Sequence, residues 1–156
     1  MSRVQLALNV ADLEASVVFY SKLFGVEPAK RRPGYANFAI AEPPLKLVLI
    51  EGEAGQETRL DHLGVEVAST DQVAAAADRL KNAGLATFEE NDTSCCYALQ
   101  DKVWVTGPGK EPWEVYVVKA DADQAGRSPV LDGDACCISD PAAAEPAQAA
   151  AGCACE

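Results

Sequence analysis

Histidine and methionine each occur once in this chain, and aromatic residues make up only 6% of it. A lone histidine excludes centres built on several imidazoles and His-rich binding tracts. Basic residues are also scarce. The 13 lysines and arginines face 24 acidic residues, for a formal net charge of −11. No basic surface is available for a phosphate backbone or an anionic bilayer, so neither nucleic acid nor membrane is an expected partner. No apolar run is long enough to span a bilayer. The opening "MSRVQLALNVADLE" turns acidic too early for a signal peptide, so a cytoplasmic setting is expected.

Cysteine, by contrast, is well supplied and oddly placed. The six cysteines fall as Cys95 and Cys96, Cys136 and Cys137, and Cys153 and Cys155. In a reducing compartment they are expected to be thiols. Adjacent cysteines also make poor structural disulfides, because bridge geometry favours partners from separate backbone segments. Packing cysteines scatter singly, whereas close pairs suit a soft metal or metalloid.

Composition changes near residue 120. The remainder, residues 120–156, is rich in Ala, Pro, Asp and Gly and contains no aromatic residue, so a disordered Cys-containing tail is expected there. Residues 1–119 form the domain. Its first module, about 3–52, reads as a strand over 3–10, a helix over 12–25 with Asp12 as N-cap and Gly25 as stop, and strands at 27–32, 35–41 and 45–51. The second, about 59–119, repeats the order: a strand over 60–69, a helix over 71–84, then strands at 86–90, 94–101, 103–106 and 112–118. Two tandem βαβββ modules in an α+β fold are the expectation, with Gln5 and His62 at equivalent positions.

Strand alternation sorts residues into faces. Gln5 shares a face with Ala7 and Asn9, His62 with Gly64 and Glu66, and Glu114 with Pro112 and Tyr116. Together with these faces, "RVQLALNVADLEASVVFYSKLFGV", "DHLGVEV" and "WVTGPGKEPWEVY" resemble the vicinal oxygen chelate superfamily of glyoxalases and extradiol dioxygenases. The resemblance covers residues 3–118. It implies a cupped mixed sheet around a divalent metal, with Gln5, His62 and Glu114 as ligands and with His62 and Glu114 as catalytic residues. Gln5 departs from the histidine of the iron dioxygenases. The glutamate of glyoxalase-type sites has no counterpart, because Lys46 or Leu47 stands at its place and Glu51 is too far along the strand. Three ligands leave coordination positions open, which suits Fe(II) with dioxygen as co-substrate.

"NDTSCC" opens with loop-forming residues, which places the thiol pair in a loop or at a bent strand start. A monosubstituted arsenical, R–As(III), needs two sulfurs, and Cys95 and Cys96 offer two. The Gln, His, Glu set with this pair resembles the superfamily branch that cleaves carbon–arsenic bonds in trivalent organoarsenicals, the C–As lyases of arsenic resistance. The implied partner is a small trivalent organoarsenical, with a homodimer as an allowed assembly. Cys95, Cys96, Tyr97 and Lys102 are the expected substrate-binding residues. The competing readings are sequestration of As(III) or Cd(II) without chemistry, and another activity of the superfamily, which leaves the thiol pair without a role.

Overall fold

The computed structural model describes residues 2–124 and 126–131. Its elements run β1 (Arg3–Val10), α1 (Leu13–Phe24), β2 (Lys30–Arg32), β3 (Tyr35–Ile40), β4 (Leu45–Glu51), β5 (Arg59–Glu66), α2 (Thr70–Asn82), β6 (Thr87–Cys95), β7 (Ala98–Thr106) and β8 (Pro112–Asp121). Both helices start on a side-chain cap. The Asp12 carboxylate accepts the Ala15 N–H at 2.9 Å, and Ser69 accepts from Gln72 N–H. Gly25, at φ +67°, ends α1 in the left-handed conformation that glycine adopts without a Cβ clash.

All strands join one eight-stranded sheet in the order β2-β3-β4-β1-β5-β8-β7-β6. β1 lies parallel to β4, β5 lies parallel to β8, and the two first strands pair antiparallel at the centre. This is the expected α+β arrangement of two βαβββ modules. Alternation divides the faces. Leu6, Leu8, Val10, Phe38, Leu47 and Leu49 pack outward against Leu13 and Val17 of α1. Val103 and Val117 do the same against Val73, Ala77 and Leu80 of α2. Phe38 alone, fully buried, contributes roughly 1.5–3 kcal/mol of apolar burial. The opposite face carries Gln5, Ala7, Tyr35 and Val48 toward the concavity of the curled sheet.

The second module differs from expectation between residues 86 and 106. Instead of three short strands there are two nine-residue strands joined at Cys96 and Tyr97. The polar "NDT" stretch is a bulge within β6, with Asp92 at φ 52°, and the ladder continues through Asp101 and Lys102. At the front, β2 is confined to Lys30–Arg32.

The expected tail boundary also shifts. β8 runs on to Asp121, and residues 126–131 pack back on the domain. Ser128 is fully buried and donates its hydroxyl to Glu90 Oε2 at 2.6 Å. A Cβ on Gly126 would stand 1.8 Å from the Ser94 carbonyl oxygen, so only glycine fits there. Cys136, Cys137, Cys153 and Cys155 lie outside the described residues.

Candidate active site

The centre of the concave face is built around a missing side chain. Gly64 of β5 pairs with Gln5 of β1 on one side and Glu114 of β8 on the other. A Cβ on Gly64 would stand 3.1 Å from Glu114 Cγ and 3.3 Å from Gln5 Cβ. Glycine therefore lets both side chains lean over the strand toward His62, two residues along on the same face. Gln5 Nε2 lies 2.9 Å from His62 Nε2 and 2.7 Å from Glu114 Oε1, and His62 Nε2 lies 3.4 Å from the same Oε1. The structure thus brings together the three residues that the resemblance singled out.

A bulge supplies a partner that alternation hides. The β1–β5 register shifts between Ala7 and Leu8, so Asp61 is the extra residue and turns to the same side as His62. His62 Nδ1–H donates to Asp61 Oδ1 at 2.6 Å, and Asn9 Nδ2 donates to Asp61 Oδ2 at 2.7 Å. This anchors the ring and leaves Nε2 facing the site. Burial pulls the His62 pKa down, but the hydrogen bonds to Asp61 and Glu114 outweigh it and raise it to about 9. Burial opposes ionisation of Glu114, yet the Lys102 ammonium and then His62 hold its carboxyl down at about 2.

Lys102 is almost completely buried, with Nζ 2.8 Å from Glu114 Oε2. Its charge is retained against burial chiefly by Glu114. Tyr116, two residues beyond Glu114, places its hydroxyl 2.6 Å from Gln5 Oε1 and 2.9 Å from Glu66 Oε2. One O–H donates one proton. Donated to Gln5 Oε1, it fixes the amide with Nε2–H donating to Glu114 Oε1 at 2.7 Å. A half-turn of the terminal amide exchanges the two atoms and would bring the carbonyl oxygen inward once a cation takes the place of that hydrogen bond. Tyr116 shares the face of Glu114 by alternation, but nothing else in the sequence marks it.

Among the described residues, no three His, Cys, Asp or Glu side chains gather closely enough to hold a metal ion. The third donor here is an amide. One amide oxygen, one imidazole nitrogen and one carboxylate, converging over the Gly64 cradle with His62 held from behind, fit a divalent cation with open positions. The place of a fourth carboxylate ligand is taken by Lys46. It faces Gln5 across the β1–β4 ladder and pairs with Glu66 at 3.3 Å. Glu51 is exposed at the far end of β4.

Cys95 ends β6, and Cys96 and Tyr97 form the two-residue turn into β7, with Cys95 opposite Ala98. Successive strand residues point to opposite faces. Here φ is 55° at Cys96 and 60° at Tyr97, and this left-handed turn brings the two Sγ atoms to 3.3 Å. Both thiols are free. The hydrogen bond from the Cys96 thiol draws the Cys95 pKa down to about 7, against burial and with help from Lys102, while Cys96, as the donor, is pushed up. Cys96 packs against the cluster of Ala7, Tyr35 and Val48 on the face that carries Gln5. Tyr97 packs against the same cluster. Its ring lies 5.4 Å from that of Tyr35, and its hydroxyl donates to the Pro33 carbonyl at 3.2 Å.

Residues 3–115 match the family described as the glyoxalase/bleomycin resistance protein/dioxygenase superfamily. The chain belongs to that superfamily. Among the superfamily's proteins, a trivalent organoarsenical cleaving enzyme of Thermomonospora curvata is 74% identical over 137 residues, spanning 88% of this chain and 89% of the relative. A cadmium-induced protein, CadI, of Mycobacterium tuberculosis is 62% identical over 143 residues, spanning 88% and 93%. The superfamily fold recurs in the Mn(II)-bound glyoxalase of Novosphingobium aromaticivorans. The TM-score is 0.56 at 21% identity, over 83% of this chain and 44% of that one.

Proposed function

We propose that this protein cleaves the carbon–arsenic bond of trivalent organoarsenicals such as methylarsenite and aromatic arsenicals, with Fe(II) as its metal and dioxygen as co-substrate, releasing arsenite. The observation that carries the reading is the thiol pair. Two sulfurs 3.3 Å apart on consecutive residues match the two valences that R–As(III) has left. They sit on the concave face that also presents Gln5, His62 and Glu114. The 74% identity to a protein named for this cleavage supports the same reading.

Capture begins at Cys95, whose pKa of about 7 keeps a large share of it as thiolate at neutral pH. Cys96 closes the second As–S bond from a turn that already aims it at its neighbour. Fe(II) held by Gln5 Oε1, His62 Nε2 and Glu114 would supply an open position for dioxygen and the electrons to activate it. Asp61 holds His62 by Nδ1, so the ring cannot rotate out of the site. Lys102 occupies Glu114 Oε2 and leaves Oε1 facing inward. The ring of Trp104 stands edge-on to His62 at 5.5 Å and covers the ligand from one side.

Arsenic speciation tests the proposal. Iron-loaded protein incubated with methylarsenite is expected to yield arsenite only in air. Methylarsenite that stays intact and tightly bound under those conditions would make the protein a trap and overturn the cleavage reading.

A further inference from the structure

Beside the thiols the concave face opens into a cavity of about 200 Å³, with Cys96 in its wall. A second cavity, near Asn9, Gly52 and Arg59 at the far end of β1, has no thiol in its lining. An arsenic atom held by Cys95 and Cys96 carries its organic group on its third bond. Cys96 is the thiol of the pair that lines this cavity, so the cavity adjoins the arsenic site. An enclosed apolar void of about 150 Å³ binds benzene, so this one has room for a substituted phenyl ring.

Its walls are not those of a simple aryl pocket. Tyr35, Ala98 and Val118 supply apolar surface, but Arg3, Lys30 and Lys46 line it as well. Glu66 is the one acidic residue in the lining, and its carboxylate is shared. Arg3 Nη2 reaches it at 3.0 Å, Lys46 Nζ at 3.3 Å and the Tyr116 hydroxyl at 2.9 Å. One carboxylate cannot neutralise both cations. Arg3 also keeps a buried Nε–H with no acceptor. A buried donor without a partner costs free energy that an incoming acceptor recovers. Lys30 is held at the rim by Asp121 and the Tyr97 carbonyl.

We infer that this cavity receives the organic substituent of the arsenical, and that its cationic wall selects aryl arsenicals bearing an anionic group, such as a carboxylate, on the ring. The inference rests on the function proposed above. The capture step is balanced. R–As(OH)₂ and two thiols give the R–As dithiolate and two waters. Two As–S bonds replace two As–O bonds, and each thiol proton leaves on an arsenic hydroxyl. Arsenic stays trivalent, and the ring substituent takes no part in the bonding. Any difference between two ring-substituted arsenicals, each competed against the same small dithiol, therefore reports the cavity.

The test uses metal-free full-length protein under reducing conditions, with Cys136, Cys137, Cys153 and Cys155 replaced by serine so that only the Cys95 and Cys96 pair is read, and this protein is the reference for both variants below. Phenylarsenite and 4-carboxyphenylarsenite are each titrated against a competing dithiol. The carboxylate is expected to be held at least about tenfold more tightly, as for a hydrogen bond to a charged group. Lys30→Met and Arg3→Met are each expected to bring that ratio down toward one. Because both ligands bind the same thiols of the same variant, a general loss of structure lowers both affinities and leaves the ratio as the readout. Equal affinities in the reference protein, or a ratio that neither variant changes, would overturn this inference while leaving capture and cleavage intact. A protein that takes up neither arsenical loses the proposed function and this inference together.

Discussion

The two modules each carry a hairpin with a two-residue turn at the same place in their order, and the two turns are built from opposite materials. Between β2 and β3 the turn is Pro33 and Gly34, closed by Arg32 opposite Tyr35. Its one positive φ, +68°, falls on glycine. Proline presets the other position, so the turn forms at little conformational cost. Between β6 and β7 the turn is Cys96 and Tyr97, both at positive φ, where Asn-Gly is the favoured pair. Non-glycine residues in that region cost on the order of 1–3 kcal/mol each. The front turn is chosen for its backbone. The rear turn holds its residues for what their side chains do, and the folded sheet sustains the strain.

The contrast can be broken most directly at the sulfur. Cys96→Ser keeps the turn and removes one arm of the chelate, so arsenical affinity is expected to fall by ~100-fold or more in a dithiol competition titration. Gly34→Ala in the front turn should leave that affinity alone. Next in size is the metal. Asp61→Asn weakens the hold on His62 Nδ1, and metal affinity is expected to drop by about 10–100-fold, read from the visible spectrum of a Co(II) titration. The third concerns rate. Below a pKa of about 7 the Cys95 thiolate fraction shrinks, so arsenical uptake by metal-free protein should slow by about tenfold for each pH unit further down. Stopped-flow mixing between pH 5 and 8 should show that slope flattening above neutrality. The smallest effect runs the other way. Replacing Cys96 and Tyr97 together by Asn and Gly should stabilise the fold by ~1–3 kcal/mol in urea unfolding, while capture is lost.

Much of this was legible beforehand, for identifiable reasons. β1, α1, β4 and α2 follow regular periodicity, and both helices start on recognisable caps. Alternation sorts Gln5, His62 and Glu114 within their own strands, while their grouping as one set came from the family resemblance. The rear hairpin could not be read, because Cys96 and Tyr97 carry none of the residues that announce a turn. The neighbouring "NDT" carries them and is a bulge instead. Asp61 escaped for a related reason, since its bulge breaks the rule that puts neighbours on opposite faces. Lys102 is expected from the sequence beside the substrate, but its ion pair with Glu114 is announced by nothing in the sequence. The expected break near residue 120 followed composition, whereas Ser128 is buried by one hydrogen-bonded hydroxyl and a glycine approach that composition does not register.

The tips of the two hairpins also touch, although their strands occupy opposite ends of the sheet order. Tyr97 gives its hydroxyl proton to the Pro33 carbonyl, and Lys30 gives one to the Tyr97 carbonyl. At both contacts the receiving atom belongs to the main chain, which every amino acid provides. These two hydrogen bonds therefore ask for identity at only two positions, one on each side. Mutational drift at residue 33 can exchange its side chain and still leave the seam its acceptor, whereas a change at Lys30 or Tyr97 removes a contact outright. In a set of descendants of this gene, tolerance around the rim should be lopsided, wide at the acceptor residue and narrow at the donors that reach across to it.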